Sequence, residues 1–262
     1  MSLIQSFQKS GNFLFKYRGQ IPLLLFVIGI PYLLFNNTRL YSLLAQQDSC
    51  SCTFTAIITI VAVVVSLIGF LIRIYTIGTT PRGTSGRNRD KQVAEQLNCT
   101  GIYSVVRHPL YLGNYLMWAG LLIFTMDISL FLLVSLIYWL YYERIMLVEE
   151  QFVESRFGVQ FQEWANRTNA IFPSFKNYKK GTIPFSVKPA LRREYSGLFA
   201  MSFTYAVVDY LTYYRVWRLL PATTPFQWLR LSLYVLVAAL FIMLILRTLK
   251  HHTSLLKEPE RD

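Results

Sequence analysis

Two long apolar runs separated by only three residues constrain the fold of this chain more than any other feature. They cover residues 110–124 and 128–142, and both are close to the length that a helix needs to cross a bilayer. The gap at residues 125–127 is too short for anything but a tight hairpin. Because a hairpin returns the chain to the side it left, we expect the residues before the first run and after the second run to meet at one membrane face.

The composition and the remaining apolar runs indicate a protein built into a membrane. Of the 262 residues, 53% are hydrophobic and only 15% are charged, whereas an ordinary soluble domain has roughly 25% charged residues. Further apolar runs cover residues 21–35, 54–77, 197–214 and 229–246. We therefore predict an all-α fold, a polytopic helical membrane protein with about six transmembrane helices.

The basic residues of the loops predict the orientation in the membrane. The N-terminal segment, residues 78–109, residues 150–196 and the C-terminal tail hold 3, 5, 8 and 4 lysines and arginines, respectively. The three loops predicted at the opposite face hold fewer basic residues. In chain order, the first holds Arg39, the second holds none, and the third holds Arg215 and Arg218. Since cytoplasmic loops carry an excess of basic residues, we predict that both termini and the residues flanking the hairpin face the cytoplasm.

The net charge of +12 fits two kinds of partner, anionic lipid head groups and nucleic acid. No nucleic-acid-binding motif is present in the sequence. We therefore expect the lipid bilayer and a membrane lipid to be the partners, and no nucleic acid.

Charged residues frame the predicted hairpin. Arg107-His108-Pro109 precedes the first run and Glu149-Glu150 follows the second, so the hairpin should bring them together. An arginine offers a planar fork of donors for carboxylate or phosphate, and a histidine can act as a base near neutral pH. A carboxylate suits a cation such as an ammonium, a sulfonium or Arg107 itself. Because adjacent residues lie about 100° apart on a helix, we expect only one glutamate to point inward.

Structural explanations compete with a binding site at each of these positions. Arg107 and His108 could serve as interfacial anchors, and Tyr103 and Tyr111 as residues of an aromatic belt. Gly113 would let another backbone or a flat ligand approach closely. Taken together on one membrane face, these residues favour a site over anchoring alone.

The sequence indicates neither a metal site nor a nucleophilic triad. His108 has no histidine neighbour. Cys50, Cys52 and Cys99 form no metal-binding set, and we interpret them as inert thiols. Asp209 lies within an apolar run and needs a partner there, for which Arg215 or Arg218 are the candidates.

One ordered set of residues runs through the centre of the chain. The set is Gly101-x-Tyr103-x-x-x-Arg107-His108-Pro109-x-Tyr111-x-Gly113, then Arg144-Ile145-x-x-x-Glu149-Glu150, then Phe157-Gly158-x-x-Phe161-x-x-Trp164-x-x-Arg167 and Pro173. It resembles the integral-membrane methyltransferases, the family of isoprenylcysteine carboxyl methyltransferases and phospholipid methyltransferases. The resemblance covers about residues 100–175, and the two tyrosines found late in the family's pattern are replaced here by Phe161 and Trp164.

This resemblance implies S-adenosylmethionine as the methyl donor, bound from the cytosol under a cap formed by the segment after Glu150. The ammonium of the donor would contact Glu149 or Glu150, and Arg107 would orient the donor's carboxylate or the acceptor's anionic head. The catalytic residues implied are Arg107, His108 and Glu150. The cofactor-binding residues implied are Tyr103, His108, Tyr111, Gly113, Glu149 and Glu150, with no metal.

The acceptor implied is a lipid head group, and a weaker resemblance favours an anionic phosphate. The stretch from residues 84–88 through Gly113-Asn114 is similar to bacterial lipid A 1-phosphate methyltransferase-like proteins, which would place this chain in a bacterial inner membrane. Phosphatidylethanolamine N-methylation and isoprenylcysteine carboxyl O-methylation are the alternatives. The non-enzyme alternative is a membrane transporter or lipid-binding scaffold that uses Asp209 and the charged cluster, although the halves show no internal repeat.

With this resemblance, three regions organise the chain. Residues 1–98 would hold N-terminal transmembrane helices and a cytosolic loop. Residues 99–180 would form the methyltransferase core, a helical hairpin with its cofactor cap. Residues 181–262 would form a C-terminal transmembrane hairpin and tail, suited to a dimer interface or to the acceptor's portal.

Overall fold

The computed structural model describes residues 2–36, 49–81, 94–219 and 229–257. Over these residues the chain is all-helical, as predicted, and contains eight α-helices, one short 3-10 helix and no strand. The 3-10 helix covers Gly101–Ser104. The α-helices are α1 (Leu3–Lys16), α2 (Ile21–Asn36), α3 (Ser49–Thr79), α4 (Pro109–Phe124), α5 (Ile128–Phe157), α6 (Val159–Arg167), α7 (Val187–Leu219) and α8 (Leu231–His252).

Three stretches are long and apolar enough to cross a membrane: Thr53–Thr79, Ile128–Phe157 and Leu231–His252. Two shorter apolar helices, Phe26–Phe35 and Pro109–Phe124, accompany them within the described residues. These helices confirm an integral membrane protein with several helical segments, while the number of six spans stays a prediction.

The predicted tight hairpin is confirmed between α4 and α5. Asp127 caps α5, and its side chain accepts a hydrogen bond of 2.9 Å from the Leu130 amide. Met126 takes a positive φ of 55° in the turn. Pro109 begins α4, where its missing amide hydrogen costs no helical hydrogen bond. The two helices therefore run antiparallel, and their outer ends lie at the same face.

Small residues bring α3 and α4 into close contact. A Cβ built on Gly113 would lie 2.8 Å from the carbonyl oxygen of Gly69, and one built on Gly120 would collide with the side chain of Ser66. Such small positions let helix backbones approach closely inside a membrane. The predicted close approach at Gly113 is thus made by the backbone of α3.

Helix α5 extends well beyond the predicted apolar run and ends at Gly158, which has a φ of 52°. A glycine at this position ends a helix without a Cβ penalty. The amphipathic helix α1 packs on this outer part of α5. Gly11 lies directly against the Arg144 carbonyl oxygen and Val148, and the Phe15 ring is buried. The docking of α1 was not predicted from the sequence.

The structure corrects the expected partner of Asp209. Arg230 donates two hydrogen bonds to its carboxylate, at 2.7 and 2.8 Å, and the Ser232 hydroxyl donates a third at 2.6 Å. These residues close the hairpin between α7 and α8, because the carboxylate reaches across to the residue that precedes α8 instead of forward along its own helix. The side chains of Arg215 and Arg218 lie outside the described residues.

Several other expectations fall partly or wholly on undescribed residues. Residues 94–97 are not helical, and residues 82–93 lie outside the described residues. Residues 84–88 and the side chains of Cys50 and Cys52 also lie outside them. Cys99 is a free thiol.

Candidate active site

The hairpin brings the residues before α4 onto the outer part of α5, as predicted. Arg107 donates to Glu150 from Nε at 2.8 Å and from Nη2 at 3.3 Å. His108 Nε2 lies 2.8 Å from the same carboxylate. Residues 43 positions apart in the sequence therefore meet in one polar cluster.

Both glutamates face this cluster, so the expectation that only one would point inward is wrong. Tyr111 donates a hydrogen bond of 2.7 Å to Glu149, and His108 Nδ1 lies 3.9 Å from the same carboxylate. The imidazole stands between the two carboxylates and faces one with each nitrogen. Although the two glutamate side chains leave α5 in different directions, both reach the imidazole because it lies between them.

Arg107 also holds the segment that follows α5. Its Nη1 donates to the carbonyl oxygens of Ala165 at 2.8 Å and Thr168 at 2.6 Å, which lie at the C-terminal end of α6. An arginine is suited to such carbonyls because they have no partner within their own helix. The hydrogen bonds of the Arg107 side chain among the described residues thus go to Glu150 and to two carbonyl oxygens. The predicted contact of Arg107 with a ligand stays a prediction.

The segment after α6 covers the entrance of α4. The Arg107 amide donates to the Asn169 carbonyl oxygen at 2.9 Å, and the Ser174 amide donates to the Val105 carbonyl oxygen at 3.0 Å. The Trp164 indole donates to the Tyr103 carbonyl oxygen at 2.8 Å. These contacts form a lid of α6 and residues 168–174 over the cluster, in the place where the resemblance implies a cofactor cap.

Tyr103 adds a neutral donor beside the glutamates. Burial raises the pKa of its hydroxyl to about 12, the charge of Glu149 adds to this rise, and a hydrogen bond with Thr80 opposes it. The hydroxyl therefore stays protonated at physiological pH. Gly113, in contrast, is buried against α3, and its predicted contact with a cofactor stays a prediction.

Sequence reasoning missed a second polar centre between α3, α4 and α7. Arg73 donates to Glu194 at 2.8 and 2.6 Å and to Asn114 at 2.5 Å. The Glu194 side chain is only 5% exposed. One signal was present, because Arg73 is the only charged residue of the apolar run at 54–77 and such a residue needs a partner.

Aromatic rings connect the hairpin helices between these two centres. The Tyr111 and Tyr142 ring centroids lie 4.7 Å apart, and those of Tyr142 and Tyr138 lie 4.3 Å apart. The Tyr138 hydroxyl donates to the Tyr111 carbonyl oxygen at 2.8 Å. Three tyrosines in contact therefore extend from the Glu149 cluster into the interior of the helix bundle: Tyr111, Tyr142 and Tyr138.

The comparison with protein families covers most of this cluster. Residues 54–160 match the family model described as phospholipid methyltransferase. The match is limited to this segment, about two fifths of the chain. It confirms the resemblance seen in the sequence motif, and the matched segment includes all the predicted site residues, from Tyr103 to Glu150. Helices α1, α7 and α8 lie outside it.

Two curated relatives match shorter stretches. The cobalt-zinc-cadmium resistance protein CzcN of Cupriavidus metallidurans is 35% identical over 95 residues, which are 36% of this chain and 41% of that protein. The nickel-cobalt-cadmium resistance protein NccN of Alcaligenes xylosoxydans xylosoxydans is 33% identical over 84 residues, which are 32% of this chain and 39% of that protein. The match therefore spans about two fifths of each relative's length, and no solved structure matches significantly.

Proposed function

We propose that this protein is an S-adenosylmethionine-dependent methyltransferase that acts on a lipid head group at the cytosolic membrane face. The observation that carries the proposal is the convergence of His108, Tyr111, Glu149 and Glu150 within a segment of the phospholipid methyltransferase family. The family match supports methyl transfer, and the paired carboxylates suit a donor that carries a sulfonium and an ammonium group.

The two glutamates take different parts in this proposal. Glu150 is held by Arg107 and His108, so its position is set by the protein. Glu149 accepts a hydrogen bond from Tyr111 and lies 3.9 Å from His108 Nδ1, so basic side chains hold it less closely than Glu150. We assign the donor's ammonium to Glu149, and we assign to Glu150 the positioning of His108 and of the lid beside the bound donor.

The reaction needs little acid–base chemistry if the acceptor is a phosphate. The donor supplies an activated methyl group, and a phosphate oxygen is already ionised at pH 7. The chain then contributes alignment of the reacting atoms and exclusion of water, which can supply a large part of a rate enhancement. The lid over Arg107 and His108 suits the exclusion of water.

An anionic phosphate is our first choice of acceptor, as in O-methylation of a lipid A-like head group. The basic segments that flank the site support this choice, because they attract an anionic head group. Phosphatidylethanolamine N-methylation is the second candidate, favoured by the name of the matching family. It would require His108 or a glutamate to accept a proton from the amine.

The charge distribution also supports the location that we propose. The site lies between residues 78–109 and 150–196, which hold 5 and 8 basic residues. Under the positive-inside rule, this face is cytoplasmic, and the membrane is a bacterial inner membrane if the lipid A-like acceptor is correct.

Equilibrium binding tests the donor. Calorimetry with the purified full-length chain in detergent should show micromolar binding of S-adenosylmethionine, and Glu149→Gln should weaken it strongly. Glu143→Gln is the matched control, because Glu143 lies exposed on the same helix. Absence of binding by the wild-type chain would overturn the proposal in favour of a transporter or scaffold. Equal binding by the two variants would overturn the assignment of Glu149.

Mass spectrometry tests the acceptor. Lipids from cells that express the chain should contain head groups heavier by one methylene unit, absent from cells that express Glu149→Gln. An added methyl ester on a phosphate would support the first candidate. Methylated ethanolamine would replace it with the second.

A further inference from the structure

Arg18 reaches the carboxylate cluster from outside the family segment. Its Nη1 lies 3.8 Å from Glu149 Oε1, and its side chain is 16% exposed. It follows α1 directly, in the turn where its amide donates to the Phe15 carbonyl oxygen. Its guanidinium also stacks on the Phe15 ring at 3.9 Å from the centroid. Arg18 is therefore held in place at the site by its own helix.

Contacts along α1 fix that helix on α5. Gln8 donates to Gln151 at 2.8 Å, and the Tyr141 hydroxyl donates to the Leu14 carbonyl oxygen at 3.2 Å. Gly11 allows the two backbones to touch. Because α1 is anchored at several points along its length, the position of Arg18 follows from the docking of the whole helix.

The Arg18–Glu149 pair is longer than the other arginine–carboxylate pairs of the described residues. Arg107 and Glu150 approach to 2.8 Å, and Arg73 and Glu194 approach to 2.6 Å. At 3.8 Å the Arg18–Glu149 pair is longer than a hydrogen bond. A cation and an anion held side by side in this way are complementary to an α-amino acid, whose ammonium and carboxylate sit on one carbon atom.

The nearby arginine is committed elsewhere. Arg107 donates to Glu150 and to two carbonyl oxygens of the lid, so binding a ligand through it would require these contacts to break. Arg18 touches the glutamate to which we assign the donor's ammonium. The carboxylate of the same amino-acid group would then lie on the Arg18 side.

We propose that Arg18 binds the α-carboxylate of the methyl donor while Glu149 binds its α-ammonium. This inference rests on the proposed function. It assigns the recognition of the donor's amino-acid end partly to α1, which lies outside residues 54–160. A guanidinium matches the two oxygens of a carboxylate and forms charge-assisted hydrogen bonds with it.

A pair of ligands tests this assignment by calorimetry on the full-length chain in detergent. S-adenosylhomocysteine carries the amino-acid group, and 5′-methylthioadenosine lacks it, while both contain a neutral thioether. Arg18→Gln should weaken binding of S-adenosylhomocysteine roughly 10- to 100-fold, the range expected for hydrogen bonds to a charged group. It should leave binding of 5′-methylthioadenosine unchanged, and Arg18→Lys should restore part of the loss.

Lys16→Gln is the matched control, because it removes one positive charge from an exposed position at the end of α1, two residues before Arg18. It should change neither affinity. Equal weakening of both ligands by Arg18→Gln would overturn the inference and indicate that Arg18 only docks α1, and unchanged affinities would also overturn it. If the wild-type chain binds neither ligand nor S-adenosylmethionine, the proposed function itself fails.

Discussion

Arg107 and Glu150 form a two-point ion pair that joins the start of α4 to the outer part of α5. The same guanidinium holds the carbonyl oxygens of Ala165 and Thr168. One side chain thus links the hairpin to its lid, and the side chain of Glu150 is fixed beside His108 as a result.

Arg107→Lys tests this link. An ammonium lacks the planar fork of a guanidinium, so it cannot bond the carboxylate at two points and both carbonyl oxygens together. We expect a loss of about 1–3 kcal/mol in the free energy of unfolding, and faster proteolysis within residues 168–174. The measurement is thermal unfolding in detergent with limited proteolysis. Arg156→Lys, at an exposed position of α5, should behave as wild type, and an unchanged Arg107→Lys variant would contradict the link.

Gly113→Ala tests the contact between α3 and α4. The added Cβ would lie 2.7 Å from the Arg73 side chain and 2.8 Å from the Gly69 carbonyl oxygen, so the helices must move apart. We expect a cost of about 1–3 kcal/mol, measured by unfolding in detergent. Gly29→Ala is the control, because a Cβ there meets nothing within 4 Å. Equal stability of the two variants would show that the close approach is absent.

Glu194→Gln tests whether the second polar centre joins α7 to the family segment. Because the carboxylate is nearly fully buried, its loss leaves the Arg73 charge without its main partner. Breaking a buried pair in this way costs about 3 kcal/mol or more. In a double-mutant cycle of Arg73→Met and Glu194→Met, the double variant should lose less stability than the sum of the two single variants. Glu163→Gln, an exposed change on α6, should have no effect, and an additive cycle would argue against the pair.

Asp209→Asn should destabilise the hairpin of α7 and α8. The amide lacks the charge that binds Arg230, whose side chain is 26% exposed. We expect the variant to unfold at a lower temperature in detergent, and Arg230→Gln to have a similar effect. The two changes together should cost less than their sum, because the second removes the charge that the first left unpaired. Full additivity would contradict the pairing of Asp209 with Arg230.

Tyr103 gives the fold a dependence on high pH. Its hydroxyl has a pKa of about 12 in the folded chain, against roughly 10 in the unfolded chain. The contribution of protonated Tyr103 to the stability of the fold is therefore complete below pH 10. It decreases as the pH rises from 10 to 12, because in that range Tyr103 ionises in the unfolded chain but not in the folded chain. Tyr103→Phe should lose less stability than wild type between pH 10 and pH 12 in thermal unfolding. Parallel losses in the two proteins would contradict this pKa.

The length and spacing of the apolar runs determined much of this protein. They predicted the helices on either side of residues 125–127, and hence the meeting of Arg107 and His108 with Glu149 and Glu150. These features depend on local properties of the sequence. The length of an apolar run predicts a membrane helix, and a gap of three residues leaves room only for a hairpin. The order and spacing of the motif residues were also sufficient to predict the family.

Only the tertiary structure decided which distant helices dock and which side chains pair. Arg18 reaches Glu149 because α1 packs on α5, Glu194 pairs with Arg73 because α7 packs beside α3, and Asp209 pairs with Arg230. No local pattern encodes these choices, because each depends on the rotation and offset of helices far apart in the chain. The length of the apolar runs and the order of the motif residues determined the hairpin and its charged ends. The docking of the other helices decided which distant side chains pair with them and with one another.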